Sequence, residues 1–94
     1  MSVEVVLPGF LADLAGGSKH VEIDVGEAGT LASVLDRLAD GRPLLDRRIR
    51  DETGRLRRFV NVYVDGDDVR FEQGVATAVR DGAVVQVLPS VAGG

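Results

Sequence analysis

The stretch His20-Val21-Glu22-Ile23-Asp24-Val25 alternates strictly between polar and apolar residues. That period of two predicts a strand with Val21, Ile23 and Val25 turned to one side. Val3-Glu4-Val5-Val6-Leu7 predicts a second strand, ended by Pro8-Gly9, and the two should form an N-terminal hairpin. Between them, Phe10, Leu11 and Leu14 make an apolar connection expected to cover one end of the core, and Gly16-Gly17-Ser18 a turn. The period then changes. Leu31, Val34, Leu35 and Leu38 fall at i, i+3, i+4 and i+7, which places them in one stripe along a helix. Thr30 is suited to cap its start and Gly41 to supply the left-handed residue after its end. Pro43, whose ring fixes φ near the helical value, opens a shorter helical segment containing Leu44, Leu45 and Ile49. Glu52-Thr53-Gly54 reads as a turn.

In Phe59-Val60-Asn61-Val62-Tyr63-Val64 the three valines share one face of a strand, and Phe59, Asn61 and Tyr63 share the other. Asp65-Gly66 signals a tight turn. Asp65, Asp67 and Asp68 lack the spacing and distal Glu of a calcium loop, so they read as turn residues rather than metal ligands. A short segment around Val69 to Phe71, a one-turn helix or loop from Val75 to Val79, and Asp81-Gly82 lead into the apolar run Ala83-Val84-Val85-Gln86-Val87-Leu88. Pro89, which cannot donate to a sheet, is expected to stop that last strand. Strand, strand, helix and further strands make an α+β layer pair of sheet and helix. A right-handed crossover places the strand after the helix parallel to a hairpin strand. One main helix packed across a mixed sheet is a β-grasp, or ubiquitin-like, arrangement. The expected division is a domain over residues 1–88 and a flexible tail over 89–94.

Composition narrows the chemistry. The 94 residues contain no Cys, which excludes disulfides, cysteine nucleophiles and thiolate metal sites. His20 is the single histidine and is expected at the surface, so a Ser-His-Asp arrangement has no support and no catalytic or metal-binding residue is assigned. No apolar run approaches the roughly 20 residues that span a bilayer, and no secretory signal is visible, so no membrane partner and a cytoplasmic location are expected. A net charge of −4 argues against nucleic acid as the main ligand. One local exception is the cluster Arg47, Arg48, Arg50, Arg55, Arg57 and Arg58, which holds six of the eleven cationic side chains. Asp46, Asp51 and Glu52 interrupt it. It reads as a solvated loop, with a contact patch for an acidic partner as the alternative.

The chain closes with Pro89-Ser90-Val91-Ala92-Gly93-Gly94, a thread of small side chains following the last strand. Glycine lets a partner's backbone and catalytic groups close around such a thread, so the terminal carboxylate of Gly94 is the candidate reactive group. The ending Gly82 to Gly94, with Arg58-Phe59-Val60-Asn61-Val62-Tyr63-Val64 and Asp68-Val69-Arg70-Phe71, resembles the MoaD/ThiS family of ubiquitin-like sulfur carriers, and within it the CysO-type carriers of cysteine biosynthesis. Ala83 departs from the acidic residue common after the Asp-Gly turn in that family.

The resemblance implies a carrier rather than an enzyme, with no permanently bound cofactor. An E1-like enzyme would use ATP to join Gly94 to AMP, and a sulfur donor would displace AMP to leave a thiocarboxylate. That group would attack an aminoacrylate on a cysteine synthase dependent on pyridoxal phosphate (PLP), and a metalloprotease would release cysteine. Val91, Ala92 and Gly93 would thread into the activating enzyme. Strand alternation turns Phe59, Tyr63, Gln86 and Leu88 toward the open sheet face, where they are candidate partner contacts. The small subunit of molybdopterin synthase and a ubiquitin-like modifier that links Gly94 to lysines are the alternative functions.

Overall fold

The computed structural model describes residues 1–26 and 29–90. Among them, five strands form one mixed sheet in the order β2-β1-β5-β3-β4. β1 (Ser2–Val6) and β2 (His20–Asp24) make the expected antiparallel hairpin, with Val5 opposite Val21 and Val3 opposite Ile23. β5 (Val84–Pro89) lies parallel to β1 on one side and antiparallel to β3 (Val60–Val64) on the other. This corrects the expected crossover: the parallel neighbour of the hairpin is β5, and β3, the first strand after the helices, lies one place further out. β5 can occupy the centre because both its edges find partners and its Val85 and Val87 are fully buried.

Two residues at positive φ, Asp65 (49°) and Gly66 (90°), turn β3 into the short β4 (Asp67–Asp68). Both central residues of a type I′ hairpin turn need that region, which explains an Asp-Gly pair here. The expected segments around Val69 and Val75 are the 3-10 turns Val69–Phe71 and Gly74–Ala76.

All helices pack on one face of the sheet. In α2 (Leu31–Ala39) the Thr30 side chain accepts a hydrogen bond from the Ser33 amide at 3.3 Å, and Leu31, Val34, Leu35 and Leu38 are buried. Gly41 follows at φ 72°, in the left-handed region. α3 (Pro43–Ile49) contributes Leu45 and Ile49 to the same core. The sheet supplies Val3, Val5, Val21, Ile23, Val60, Val62, Val64, Val85 and Val87. Each such side chain removed from water contributes about 1.5–3 kcal/mol, so this single seam carries the domain.

Three further expectations need correction. The Phe10–Leu14 connection is a helix, α1 (Gly9–Ala12), followed by a 3-10 turn, and only part of it covers the core. Leu11 is fully buried, but Phe10 is 55% exposed, because a helical turn points successive side chains about 100° apart. The arginine-rich stretch is not one solvated loop. Arg47 and Arg48 lie on α3, and Arg50 just after it is only 8% exposed. Finally, Pro89 does not stop β5 from outside but is its last residue, paired with Val60. Asn61–Leu88 and Phe59–Ser90 are hydrogen-bonded pairs, with the Ser90 amide donating to the Phe59 carbonyl at 2.8 Å. Bonded and non-bonded pairs alternate in an antiparallel ladder, so the nitrogen of Pro89 faces away from β3. There β1 has already ended at Val6, and no N–H is required.

Candidate functional site

The sheet has one face covered by helices and one that is not, and the second leads to the root of the tail. Alternation along β5 and β3 places Gln86, Leu88, Asn61 and Tyr63 on this open face. Register joins them: Leu88 lies opposite Asn61, and Gln86 opposite Tyr63. Val6 adjoins Gln86 across the parallel ladder. Gln86 is exposed, Leu88 and Tyr63 are half-buried, and Phe59, at the start of β3, is 50% exposed. Of the side chains singled out in the sequence, Tyr63 and Gln86 are cross-strand partners, Leu88 lies two residues nearer Ser90, and Phe59 is bonded to Ser90 through its carbonyl.

Asn61 is the member the sequence reading passed over. Its amide oxygen is buried and has no hydrogen-bond partner among the described residues. A buried acceptor left in that state costs about 1–3 kcal/mol. Polar residues on an outward face are commonplace, so nothing in the alternation pattern marked this one.

A second feature borders Ser90 on the helical side. A recess of about 360 Å³ is lined by Leu56, Arg57, Arg58, Val60, Val62, Arg70 and Ser90. Asp68 holds Arg70 through bonds from Nη2 at 3.1 Å and Nε at 3.4 Å. The Arg70 bond in turn keeps the Asp68 carboxyl below its ordinary pKa. Arg57 donates through Nε to the carbonyl of Arg47. Sequence showed the density of arginines but not that a distant one, Arg70, joins them.

The other ionisable residues serve local structure. His20 is exposed on β2, where its Nδ1 lies 2.6 Å from Glu4 Oε2. Among the described residues, no three His, Asp or Glu side chains group to hold a metal ion. Asp65 accepts from the Val84 amide at 2.9 Å, so it works as a turn residue. No helix among the described residues is long and apolar enough to cross a membrane. Val91, Ala92, Gly93 and Gly94 lie outside the described residues.

Comparison with known proteins gives these features a setting. Residues 5–94 match the model of the ThiS family. The sulfur carrier protein CysO of Mycobacterium tuberculosis is 42% identical over 96 aligned positions, covering 100% of both chains. The crystal structure of M. tuberculosis CysO superposes with a TM-score of 0.85 at 40% identity, over 95% of this chain and 99% of the other. The CysO chain in the Amycolatopsis orientalis BexX/CysO complex gives 0.80 at 36% identity, over 98% and 99%.

Proposed function

Because the chain belongs to the ThiS family, we propose that it is a sulfur carrier whose Gly94 carboxylate is activated and converted to a thiocarboxylate. The observation that carries this reading is the full-length match to a CysO sulfur carrier, in a sequence that itself closes on Gly93-Gly94. Such a protein is a co-substrate rather than a catalyst: the chemistry occurs at its end, in the active sites of other proteins.

A carboxylate is a poor electrophile. An E1-like enzyme makes it reactive by transferring AMP from ATP to the Gly94 oxygen, with release of pyrophosphate. A sulfide or persulfide sulfur then attacks the acyl carbon and AMP leaves. With a persulfide donor, the resulting acyl disulfide must be cleaved by a thiol to yield the thiocarboxylate. That product is ionised at neutral pH and is therefore a ready nucleophile, as thiolates are. The absence of cysteine leaves the carrier with no internal thiol to compete. The similarity to CysO carriers favours cysteine synthesis on a PLP-dependent synthase as the destination, with a metalloprotease releasing the product. That a relative has been solved in complex with another protein, BexX, supports docking of the folded body as part of the cycle.

Intact mass of the protein from its native cell tests the reading. A fraction about 16 Da heavier, the difference between sulfur and oxygen, is expected at Gly94. Unmodified carboxylate alone, in cells that contain the activating enzyme and sulfur donor, would refute the carrier role. Isopeptide-linked conjugates through Gly94 would instead mark a protein modifier.

A further inference from the structure

We propose that the recess beside Ser90 seats an acidic segment of a partner protein, with an apolar side chain on its Leu56–Val60–Val62 floor and carboxylates against Arg57, Arg58 and Arg70. The proposal deepens the carrier reading, on which it rests for a partner that approaches the tail.

Charge is the first argument. The chain has 15 acidic residues and a net charge of −4, yet the recess is lined by three arginines and no carboxylate. Such a local reversal of sign steers an acidic partner to one place and repels other parts of the same partner from the rest of the surface.

Donor supply is the second. A guanidinium has five N–H groups in a rigid fork. Arg70 uses two toward Asp68, and Arg57 one toward the Arg47 carbonyl. The remaining donors stay available for carboxylates, while those internal bonds hold both side chains in place. Arg58 is exposed and makes no ion pair among the described residues. A preorganised fork loses less side-chain entropy on binding than a free one, which favours arginine over lysine at such a site.

Shape is the third. The apolar floor distinguishes the recess from a site for a small inorganic anion, and its volume accommodates a leucine-sized side chain with flanking carboxylates. Position completes the case. Val60 and Ser90 line the recess, so an occupant would hold the base of the tail from the helical side while the open face stays free.

The test titrates the isotope-labelled full chain with the peptide acetyl-Asp-Glu-Leu-Glu-Asp-amide, read by amide chemical shifts. Controls are its Asn/Gln counterpart, inorganic phosphate and a short single-stranded oligonucleotide. Saturable shifts are expected at Leu56, Arg58, Val60 and Ser90 with the acidic peptide alone. Arg58→Glu should weaken binding about tenfold or more, Arg58→Gln by less, and Arg55→Glu, the same charge change outside the recess, within about twofold. Equal binding of the neutral peptide, of phosphate or of the oligonucleotide would overturn the proposal. So would equal loss with Arg55→Glu, or saturation of the same residues by self-association. None of these readouts needs a thiocarboxylate, so failure here leaves the mass test of the carrier role untouched, and the converse holds.

Discussion

Arg50 carries its charge into the seam between α2 and α3, donating to Asp46 Oδ1 at 2.8 Å and to Asp36 Oδ1 at 2.9 Å. Burial alone would lower its pKa, but the bonds to Asp46 and then Asp36 outweigh that and raise it. The Asp46 side chain is itself only 25% exposed, whereas that of Asp36 is 70% exposed. Arg50→Met keeps most of the packing volume but strands the Asp46 carboxylate. It should cost about 2–3 kcal/mol in urea unfolding, against less than about 1 kcal/mol for Asp36→Asn. A neutral Arg50→Met would mean that the bridge does no more than offset its own desolvation. Other carboxyls set the acid limit. The Thr53 hydroxyl holds Asp51 below its ordinary value, outweighing the opposing effect of burial, and the Arg70 guanidinium does the same for Asp68. A carboxyl lowered in the folded state favours folding above its unfolded value of about 3.9, and that contribution disappears as pH falls through the folded value. Melting temperature should therefore be level above about pH 5 and fall below about pH 4, with a shallower fall in Asp51→Asn. An unchanged acid limb in that variant would remove Asp51 from the account.

Elements with a clear period were readable in advance because each buries one face in one core: β2, α2 and β3 lie within a residue or so of where the alternation put them. What could not be read was long-range. No local pattern says that β5 lies between β1 and β3, that Arg70 folds back toward Arg57, or that Asp36 waits one helix away for Arg50. Phe10 was misplaced because an apolar residue in a short helix need not share the buried side of Leu11. For the candidate site the alternation sufficed to put Leu88, Gln86 and Tyr63 on the open face, but it could not show that Asn61 would be left without a partner. These neighbours make the strand pair β3–β5 the element to test. Leu88→Arg or Tyr63→Ala should weaken binding to the activating enzyme or the sulfur-accepting synthase by about 1–3 kcal/mol in titrations, with unfolding unchanged. Wild-type affinity in both would move the docking surface off this face.

For the molecule as a whole, the carrier reading expects folding and the chemistry at Gly94 to be separable. The core is built from described residues up to Val87, so deleting Gly94 should leave the melting temperature within about 1 °C. Adenylate formation, followed by pyrophosphate release with the activating enzyme, should be abolished. Normal adenylation of the shortened chain would end the idea of a terminal reactive group. The central place of β5 has a further consequence, in the order of synthesis. The strand made last separates β1 from β3, so an incomplete chain has a hairpin and a β3–β4 pair but nothing to join them. Val5 on one side, and Val60 and Val62 on the other, lack the strand that pairs between them until residues 84–89 arrive. Nascent chains fold largely as domains become available, and a sheet closed by its final strand must wait for that strand. Prematurely terminated products would therefore remain unfolded and open to proteolysis, so the cell's pool of compact molecules is confined to chains translated through the segment that leads to Gly94.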